Sequence, residues 1–581
     1  MSERTTVDTT ETIDTISFNR RLIATMPGTY ALQVITRLIF LLGPIIPGLI
    51  AQAVFDTLSG EAPAALGVWG LISLYLAAEA ARLGALLAET WVGNTFRYTT
   101  GARLRGSILA AILRRPGAQE QPVAPGDAVD RFDSDVGEVT DFPTWLPEIG
   151  GEALTTLVAL GIMLSIDWKI TLCAFLPMLA VVGLYRVAWG RMLRYREASR
   201  STSGAAAAFL GEALGGIQAI QLADAAPQVA ARFSALADAR RSAAVRERVA
   251  QALIDGVNSQ TVTLGTGLFL LLAGQRMAAG SFSVGDFALF VSYLGAVANF
   301  PLTLGTFLGD YQQQAVAIRR LAELVRPEPA QALLAPPAAP EPPAIGPLRQ
   351  GQPLLELRGL TYIHPSSGRG VRDVSLSLAA GSVTIITGRV GSGKSTLLRA
   401  ALGLLPHDSG QVLWRGAPAE RLVPPQAAYT PQVPRLLSTT LRENVLLGLE
   451  QGEDALERAL WQAAVDADVA GFAQGLETQL GPRGVRLSGG QVQRVAAARM
   501  LIRRPELLVF DDLSSALDGP TEQALWERLM AEAGRSILAV SHRRAALARA
   551  DQVVVLRDGR VAAVGTLAQL AGTCEELAHL T

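Results

Sequence analysis

Long runs without a charged residue constrain the first 325 residues more than any other feature of the sequence. A hydrocarbon core about 30 Å thick requires roughly 20 apolar residues of helix to cross it. There are six such runs, and the third, residues 153–166, is short. It meets this requirement only if Glu148 or Glu152 lies at the membrane interface or against another helix. With 49% hydrophobic and 18% charged residues overall, a wholly soluble or disordered chain is excluded. We therefore predict a membrane domain over residues 1–325, with six spans at 38–55, 62–78, 153–166, 170–185, 256–275 and 287–309.

The placement of arginine predicts which side of the membrane each loop faces. Basic residues beside membrane spans are retained in the cytoplasm. Six arginines lie in 93–146 and nine in 191–250, whereas the short segment 58–66 has none, 166–170 has only Lys169 and 276–282 has only Arg276. Both termini are expected to be cytoplasmic, and the two long arginine-rich segments, which carry helical apolar spacing, are expected to continue the membrane helices. The polar start of the chain lacks the pattern of a cleavable signal peptide, so the first span is expected to serve for targeting.

A pair of opposite charges, Glu79 and Arg82, lies three residues apart just beyond the second run. One turn of helix places both side chains on the same face. Two interpretations are open: a polar contact for cargo in a central cavity, or a mutually neutralising pair between packed helices. The second is favoured by the sequence alone.

A proline-rich stretch separates the membrane domain from a second domain. Eight prolines lie between residues 327 and 347, a composition that cannot sustain a helix. Beyond it, short β-rich runs at 382–387 and 507–510 alternate with helical stretches. We predict a linker over 326–352 and an α/β domain over 353–581.

The first of these β-rich runs leads into a glycine-rich loop that matches the phosphate-binding loop of nucleotide-binding proteins. Glycines let the backbone N–H groups point at a phosphate, and the following helix adds its positive end. Lys394 is one of only two lysines in the chain, and it stands where an ammonium is needed between phosphates. The Ser395 hydroxyl is expected to ligate Mg²⁺. The predicted phosphate contacts are Gly388, Val390, Gly391, Ser392, Gly393, Lys394, Ser395 and Thr396.

The second β-rich run delivers two carboxylates, Asp511 and Asp512, to its carboxyl end. This is the edge at which open parallel sheets bind ligands. Asp511 is expected to hold Mg²⁺ through water, and Asp512 to polarise the attacking water.

With the segment 487–491, Leu-Ser-Gly-Gly-Gln, the chain resembles the ATP-binding cassette (ABC) superfamily, and the whole resembles an exporter-type half-transporter: a membrane α-helical domain followed by an α/β P-loop nucleotide-binding domain. The resemblance implies that two cassettes sandwich two ATP molecules, so that Ser488, Gly489, Gly490 and Gln491 act on the nucleotide of a partner subunit. It also implies a Mg²⁺-touching glutamine at Gln432, a D-loop aspartate at Asp518, a switch histidine at His542 and a cytoplasmic coupling helix, for which 133–140 is the candidate.

The chain departs from the family pattern at two positions. The adenine-stacking loop has His364 where a tyrosine is usual, with Tyr362 two residues earlier, and the choice between them is open. Asp512 stands where glutamate is usual, and its side chain is one methylene, about 1.5 Å, shorter. Family members with aspartate here resemble the slowly hydrolysing half of heterodimeric exporters, so a heterodimer is expected.

The expected function is ATP-driven export of a small molecule, lipid or peptide across a bacterial inner membrane. A metal-siderophore importer of the same architecture and an ATP-gated regulatory subunit are the alternatives. A formal charge of −1 gives no basic field for nucleic acid. Two cysteines far apart in sequence, Cys173 and Cys574, fit neither a disulfide framework nor a zinc site.

Overall fold

A computed structural model describes residues 14–60, 66–118, 123–326, 333–334, 348–349, 351–481, 487–513, 516–532, 534–571 and 574. The chain forms two compact units. The first comprises Met1–Ala111 and Pro122–Pro337, and the second comprises Ile112–Gln121 and Ala338–Thr581. Most of the predicted linker and the start of the second predicted span, residues 62–65, lie outside the described residues.

The described part of the first unit is helical. Its α-helices are α1 Thr15–Ala24, α2 Pro27–Leu42, α3 Ile45–Ser59, α4 Gly67–Arg114, α5 Pro125–Asp130, α6 Val136–Ile166, α7 Trp168–Gly215, α8 Ile217–Leu222, α9 Ala226–Ala278 and α10 Val284–Val325. The arginine-rich segments are indeed continuations of long helices, since α4, α7 and α9 each exceed 45 residues.

Membrane-crossing character is clearest in four helical stretches. Among the described residues, Pro27–Ser59, Gly67–Arg114, Gly126–Ile166 and Val284–Val325 are long and apolar enough to cross a membrane. The remaining two predicted spans, 170–185 and 256–275, lie inside α7 and α9. The total of six crossings stays a prediction.

The break between the helices that carry the predicted spans 153–166 and 170–185 consists of a single residue. Asp167 alone is outside a helix, because its side chain caps α7 by accepting hydrogen bonds from the amides of Lys169 (2.8 Å) and Ile170 (3.1 Å). Trp168 therefore already belongs to α7.

Close packing joins α3 to α10 in the first unit. The Tyr293 hydroxyl donates to the carbonyl of Ile45 at 2.6 Å, and the ring lies over Gly48. A Cβ at residue 48 would be 2.3 Å from Cε1 of Tyr293, so only glycine fits there. Tyr293 lies in a buried cluster with the stacked rings of Phe269 and Phe290.

A network of arginines and aspartates fixes the turn that precedes α6. Arg131 lies in a π-helical turn, Arg131–Asp135, and donates to Asp127 (3.0 Å) and Glu323 (2.8 Å). Arg320 of α10 donates to Asp135 at 2.9 Å. The candidate coupling helix, 133–140, spans this turn and the start of α6 and belongs to the first unit, and its docking role stays a prediction. Residues 112–121 instead group with the second unit, where the Ala118 amide donates to the carbonyl of Leu404 at 2.9 Å.

The second unit is built on two sheets, of four antiparallel strands (order β2-β1-β4-β5) and of six strands (order β10-β9-β3-β8-β7-β6). The larger sheet is parallel except for β10. The strands are β1 Leu355–Ile363, β2 Gly370–Leu378, β3 Val383–Thr387, β4 Ser409–Trp414, β5 Ala417–Pro418, β6 Ala427–Thr430, β7 Leu507–Asp511, β8 Ser536–Val540, β9 Gln552–Arg557 and β10 Arg560–Gly565. All five residues of β3 and of β7 are buried, as expected for central parallel strands covered on both faces.

Two hydrophobic cores lie on the two faces of the larger sheet. Along β3, Val383 and Ile385 belong to one core and Ile386 to the other, which is the alternation of a strand. The helices of this unit are α11 Lys394–Ala401, α12 Leu441–Leu446, α13 Glu453–Gln462, α14 Asp466–Gly471, α15 Gly489–Leu501, α16 Gly519–Met530, α17 Arg544–Leu547 and α18 Leu567–Leu570. The carboxyl ends of β3 and β7 and the start of α11 thus meet at one edge of the sheet.

Candidate nucleotide-binding site

The loop between β3 and α11 has a backbone that requires glycine. Gly388, Gly391 and Gly393 have φ of 138°, 84° and 99°, in the region that disfavours other residues. A Cβ on Gly388 would also lie 2.2 Å from the carbonyl of Leu556. The loop therefore curls as a phosphate-binding loop does, with α11 beginning at Lys394.

The side chain of Lys394 folds back over this loop, where backbone carbonyls of the loop hold it. Its Nζ donates to the carbonyls of Gly388 (2.8 Å) and Arg389 (2.9 Å). Burial lowers the pKa of Lys394, while Asp511 and Asp512 act in the opposite direction. Ser392 is buried and its hydroxyl has no hydrogen-bond partner among the described residues, whereas Val390 is 97% exposed. The loop thus offers an ammonium and an unpaired hydroxyl, the groups that a phosphate accepts from.

Asp511 lies at the end of β7 beside the phosphate loop. One of its carboxylate oxygens accepts from the Ser395 hydroxyl at 3.0 Å, and the other accepts from the Tyr429 hydroxyl at 3.3 Å. Hard oxygen donors of this kind suit Mg²⁺, which usually takes one or two protein groups together with phosphate oxygens and water. The pair Ser395 and Asp511 therefore fits a metal whose coordination is completed by phosphate.

Asp512 leaves the strand in a left-handed conformation, with φ of 54°. Its amide donates to the carbonyl of Val540 at 3.0 Å, and its carboxylate accepts from the Gln432 side chain at 3.5 Å. Burial raises the pKa of Asp512, and the neighbouring His542 acts against that shift. Gln432 is held in turn by Gln493, whose amide donates to its carbonyl at 3.2 Å. The structure therefore brings the predicted glutamine and the predicted catalytic acid together.

His542 follows β8 on the same edge of the sheet. Its Nδ1 lies 3.4 Å from the hydroxyl of Thr387, the last residue of β3. Burial, and then the charge of Lys394, lower the pKa of His542. The imidazole is therefore neutral near pH 7 and able to donate or accept one hydrogen bond.

The two candidates for adenine stacking differ in exposure. Tyr362 is 6% exposed and belongs to the hydrophobic core beneath the smaller sheet. His364 is half-buried, and its Nε2 lies 3.4 Å from the hydroxyl of Thr396 in the phosphate loop. The edge of one ring packs on the other, with centroids 4.9 Å apart. Of the two candidates, His364 is the more accessible and lies near Thr396, and Tyr362 packs against it.

The signature turn forms a capped helix start. The Ser488 hydroxyl accepts from the Gln491 amide (3.3 Å), and the Gln491 side chain accepts from the Ser488 amide (2.9 Å). The Gln491 side chain also donates to Asp468 at 2.8 Å. A Cβ at Gly490 would lie 2.9 Å from the carbonyl of Ala516, so the turn packs closely on the segment before α16. Asp518 precedes α16 and is exposed, whereas Ser514 and Ser515 lie outside the described residues.

The signature turn is separate from the phosphate loop of its own chain. Among the described residues, the side-chain hydrogen bonds of Ser488 and Gln491 are with each other and with Asp468. The first turn of α15, including Gly489 and Gly490, therefore offers amides that its own side chains do not occupy.

Four supporting residues were not singled out by the sequence pattern. Tyr429 and Arg399 surround Asp511, Thr387 contacts His542, and Gln493 holds Gln432. Tyr429 was within reach of prediction, because it lies on a short apolar strand next to the glutamine. The other three depend on the order of strands in the sheet, which motif spacing does not reveal.

In the membrane domain, Glu79 and Arg82 form the expected pair. Arg82 donates to Glu79 at 3.3 Å, and both side chains line a cavity between helices of the first unit. The two interpretations of this pair are therefore compatible with each other.

Comparisons with known proteins match both parts of the chain. The family described as "ABC transporter transmembrane region" matches residues 29–302, and the family described as "ABC transporter" matches residues 371–515. Similar proteins include an ATP-dependent lipid A-core flippase of Bordetella pertussis, 28% identical over 83% of this chain and 76% of the relative, and one of Xanthomonas campestris pv. campestris, 29% identical over 82% of this chain and 81% of the relative. A solved bacterial Atm1-family ABC exporter with ATP bound shares the fold, with a TM-score of 0.74 and 22% identity over 97% of this chain and 98% of that chain.

Proposed function

Because this chain belongs to the ABC transporter family, as an exporter-type half-transporter whose ATP hydrolysis is coupled to transport, we propose that it is one subunit of a dimeric pump in which each nucleotide site needs both subunits. The observation that carries the proposal is the capped signature turn of Ser488 and Gln491. It presents a helix start suited to a phosphate, and its hydrogen bonds are made away from the phosphate loop of the same chain.

In this proposal the cassette binds ATP with Mg²⁺. His364 stacks on the adenine, and the loop from Gly388 to Thr396 cradles the phosphates. Ser395 and Asp511 hold Mg²⁺, with Gln432 beside it, and the ion supplies charge stabilisation to the phosphates. His542 contacts the terminal phosphate as a neutral imidazole.

We propose further that the partner is a different subunit. The side chain of Asp512 ends about 1.5 Å nearer the backbone than a glutamate would, and it lies against Gln432 at 3.5 Å. A misplacement of that size is enough to slow turnover by about a hundredfold. A homodimer would carry this weakness twice, whereas in a heterodimer the signature turn of this chain completes a site whose partner supplies the glutamate.

The membrane domain is proposed to cross the bacterial inner membrane six times with both termini in the cytoplasm, as the arginine distribution indicates. Cargo of amphiphilic lipid type is the first candidate, because the similar proteins are named lipid A-core flippases. A small molecule or a peptide remains within the proposal, and import of a metal complex is the alternative that vesicle orientation distinguishes.

Two substitutions in the purified heterodimer test this asymmetry. Ser488→Arg blocks the signature turn that serves the partner's site, and we expect ATP hydrolysis to fall by about a hundredfold or more, as for loss of a transition-state contact. Asp512→Asn removes the carboxylate of the slow site, and we expect at least half of the activity to remain. Abolition of all turnover by Asp512→Asn, with the partner's matching glutamate dispensable, would contradict the assignment.

A further inference from the structure

A polar track, a row of mostly polar residues, lies on one face of α4 and one face of α6 in the membrane domain. On α4 the residues at 79, 82, 89, 93 and 97 recur at helical spacing and share one face, and on α6 those at 141, 148, 152 and 155 do the same. From Glu79 to Arg97 the helix rises about 27 Å, from the end of the second predicted span into the arginine-rich segment. Two cavities open on this track between α2, α4, α6 and α10.

One cavity, of about 370 Å³, lies at the arginine-rich end of the track, which is the predicted cytoplasmic end. We call it the outer cavity because its lining residues lie outside the predicted spans. Its arginines are already neutralised: Arg37 pairs with Glu89 (3.1 Å) and Glu148, and Arg97 pairs with Asp141. Gln33 lines the same cavity, is 1% exposed, and its amide oxygen has no hydrogen-bond partner among the described residues. This cavity thus offers an acceptor rather than a positive charge.

The inner cavity, of about 420 Å³, lies deeper in the predicted spans and is also lined by Tyr75 and Phe40. The ring of Phe40 contacts one arginine from each cavity. The guanidinium groups of Arg37 and Arg82 lie 5.5 Å and 5.1 Å from its centroid. This volume is in the range of small-molecule binding sites.

Glu152 is the exceptional group of the inner cavity. Its Oε2 is buried without a hydrogen-bond partner, and it forms no ion pair with any of the described residues. The neighbouring Arg82 is paired with Glu79, but its Nε is likewise buried and without a partner. A carboxylate at this depth is costly unless a cation joins it. Among the described residues, Glu152 therefore has no cation paired with it, and Nε of Arg82 has no acceptor.

The formal charges along the whole track also favour a cation over an anion. Three arginines face five carboxylates, a formal excess of two negative charges: Arg37, Arg82 and Arg97 against Glu79, Glu89, Asp141, Glu148 and Glu152. At low dielectric this excess attracts a cation and repels an anion more strongly than it would in water.

We propose that this track binds the cationic headgroup of an amphiphilic cargo, with an amine at Glu152 and an oxygen of the same headgroup accepting from Nε of Arg82. The proposal rests on the proposed transport function and adds the chemical class of the cargo. The aromatic and aliphatic lining of the inner cavity serves the apolar chain, and the Gln33 oxygen is a second acceptor for an amine that enters from the outer cavity.

Equilibrium binding without nucleotide tests this inference. The full chain in phosphatidylcholine nanodiscs is titrated at neutral pH with radiolabelled dodecylamine and, separately, with dodecanoic acid of the same chain length, and binding to empty nanodiscs is subtracted. We expect wild type to bind the amine at least about tenfold more tightly than the acid. Equal affinity, or preference for the acid, overturns the proposal without any variant.

Variants then locate the site. Glu152→Gln is expected to weaken amine binding about tenfold or more, and Glu152→Asp, which keeps the charge, to retain most of it. Glu212→Gln, an exposed carboxylate on α7, is the matched control and is expected to change nothing. Unchanged amine binding by Glu152→Gln would overturn the assignment. Because no ATP is present, a chain that binds the amine but never couples it to ATP hydrolysis would contradict the proposed function and leave this inference standing.

Discussion

Lengthening the side chain at residue 512 is the most direct test of the proposal that the nucleotide site of this chain is slow. Asp512→Glu adds one methylene, which moves the carboxylate outward by about 1.5 Å. In the structure the shorter carboxylate lies against Gln432 at 3.5 Å, on the edge of the sheet that carries the phosphate loop. If that reach is what limits turnover, a dimer of two copies of this chain should hydrolyse ATP about 10- to 100-fold faster after the substitution. This corresponds to about 1.4 to 2.7 kcal/mol of activation free energy.

The backbone conformation at residue 512 is expected to lower the folding stability of the Asp512→Glu variant. Residue 512 has φ of 54°, a conformation that aspartate tolerates better than glutamate does. We expect the variant to lose up to about 1 kcal/mol of folding stability. This loss lowers the unfolding temperature and leaves the rate per folded molecule unchanged, so the two effects can be measured separately.

The assay is steady-state ATP hydrolysis by the purified chain in nanodiscs at saturating Mg-ATP, with Asp512→Asn as the control that lacks the carboxylate charge. ATP affinity is measured alongside, because residue 512 is expected to act on turnover and not on binding. If Asp512→Glu binds ATP as wild type does and turns it over no faster, the reasoning from side-chain reach is refuted. Wild type that already hydrolyses ATP as fast as the pair would refute it equally.

Three further predictions concern the nucleotide site. Lys394→Ala should weaken ATP binding by about tenfold or more, because it removes the charge held over the phosphate loop, whereas Lys169→Ala, the only other lysine, should leave binding unchanged in the same filter-binding assay. His364→Ala should weaken ATP binding by roughly 1 to 3 kcal/mol, the scale of base stacking on a ring, whereas Tyr362→Phe should not; the reverse result would reassign the stacking residue. Burial holds the pKa of His542 below its ordinary value of 6.5, so the unfolded chain binds more protons as pH falls below 6.5 and wild type should lose thermal stability there relative to His542→Gln. A difference in unfolding temperature that stays constant from neutral to acidic pH would contradict this.

Much of the architecture follows from periodicity and composition. Uncharged runs predict where long helices lie, because a lipid environment leaves the backbone no other way to pair its polar groups. The phosphate loop was predicted from the spacing of its glycines. The structure shows why glycine stands there, since the φ values of Gly388 and Gly393 admit little but glycine. Glu148, one of the two carboxylates that must be accommodated if the third run is to span, is neutralised by Arg37 on α2.

What the sequence left open depends on contacts between distant segments. Tyr362 lies in β1 and His364 just follows its end, and the packing of the smaller sheet buries Tyr362 and leaves His364 partly accessible. The left-handed backbone at Asp512 has no signature in the residue itself. Glu152 looked like an interruption in an apolar run, and only the helices around it reveal that it lacks a partner. In each instance the role of the residue is decided by a neighbour in space that is distant in sequence.

The mutual capping of Ser488 and Gln491 also bears on how quickly two such subunits can meet. A helix start that is already ordered loses little conformational freedom when a second molecule's nucleotide arrives at it. In the proposed dimer, association would therefore not wait for a folding event at this contact.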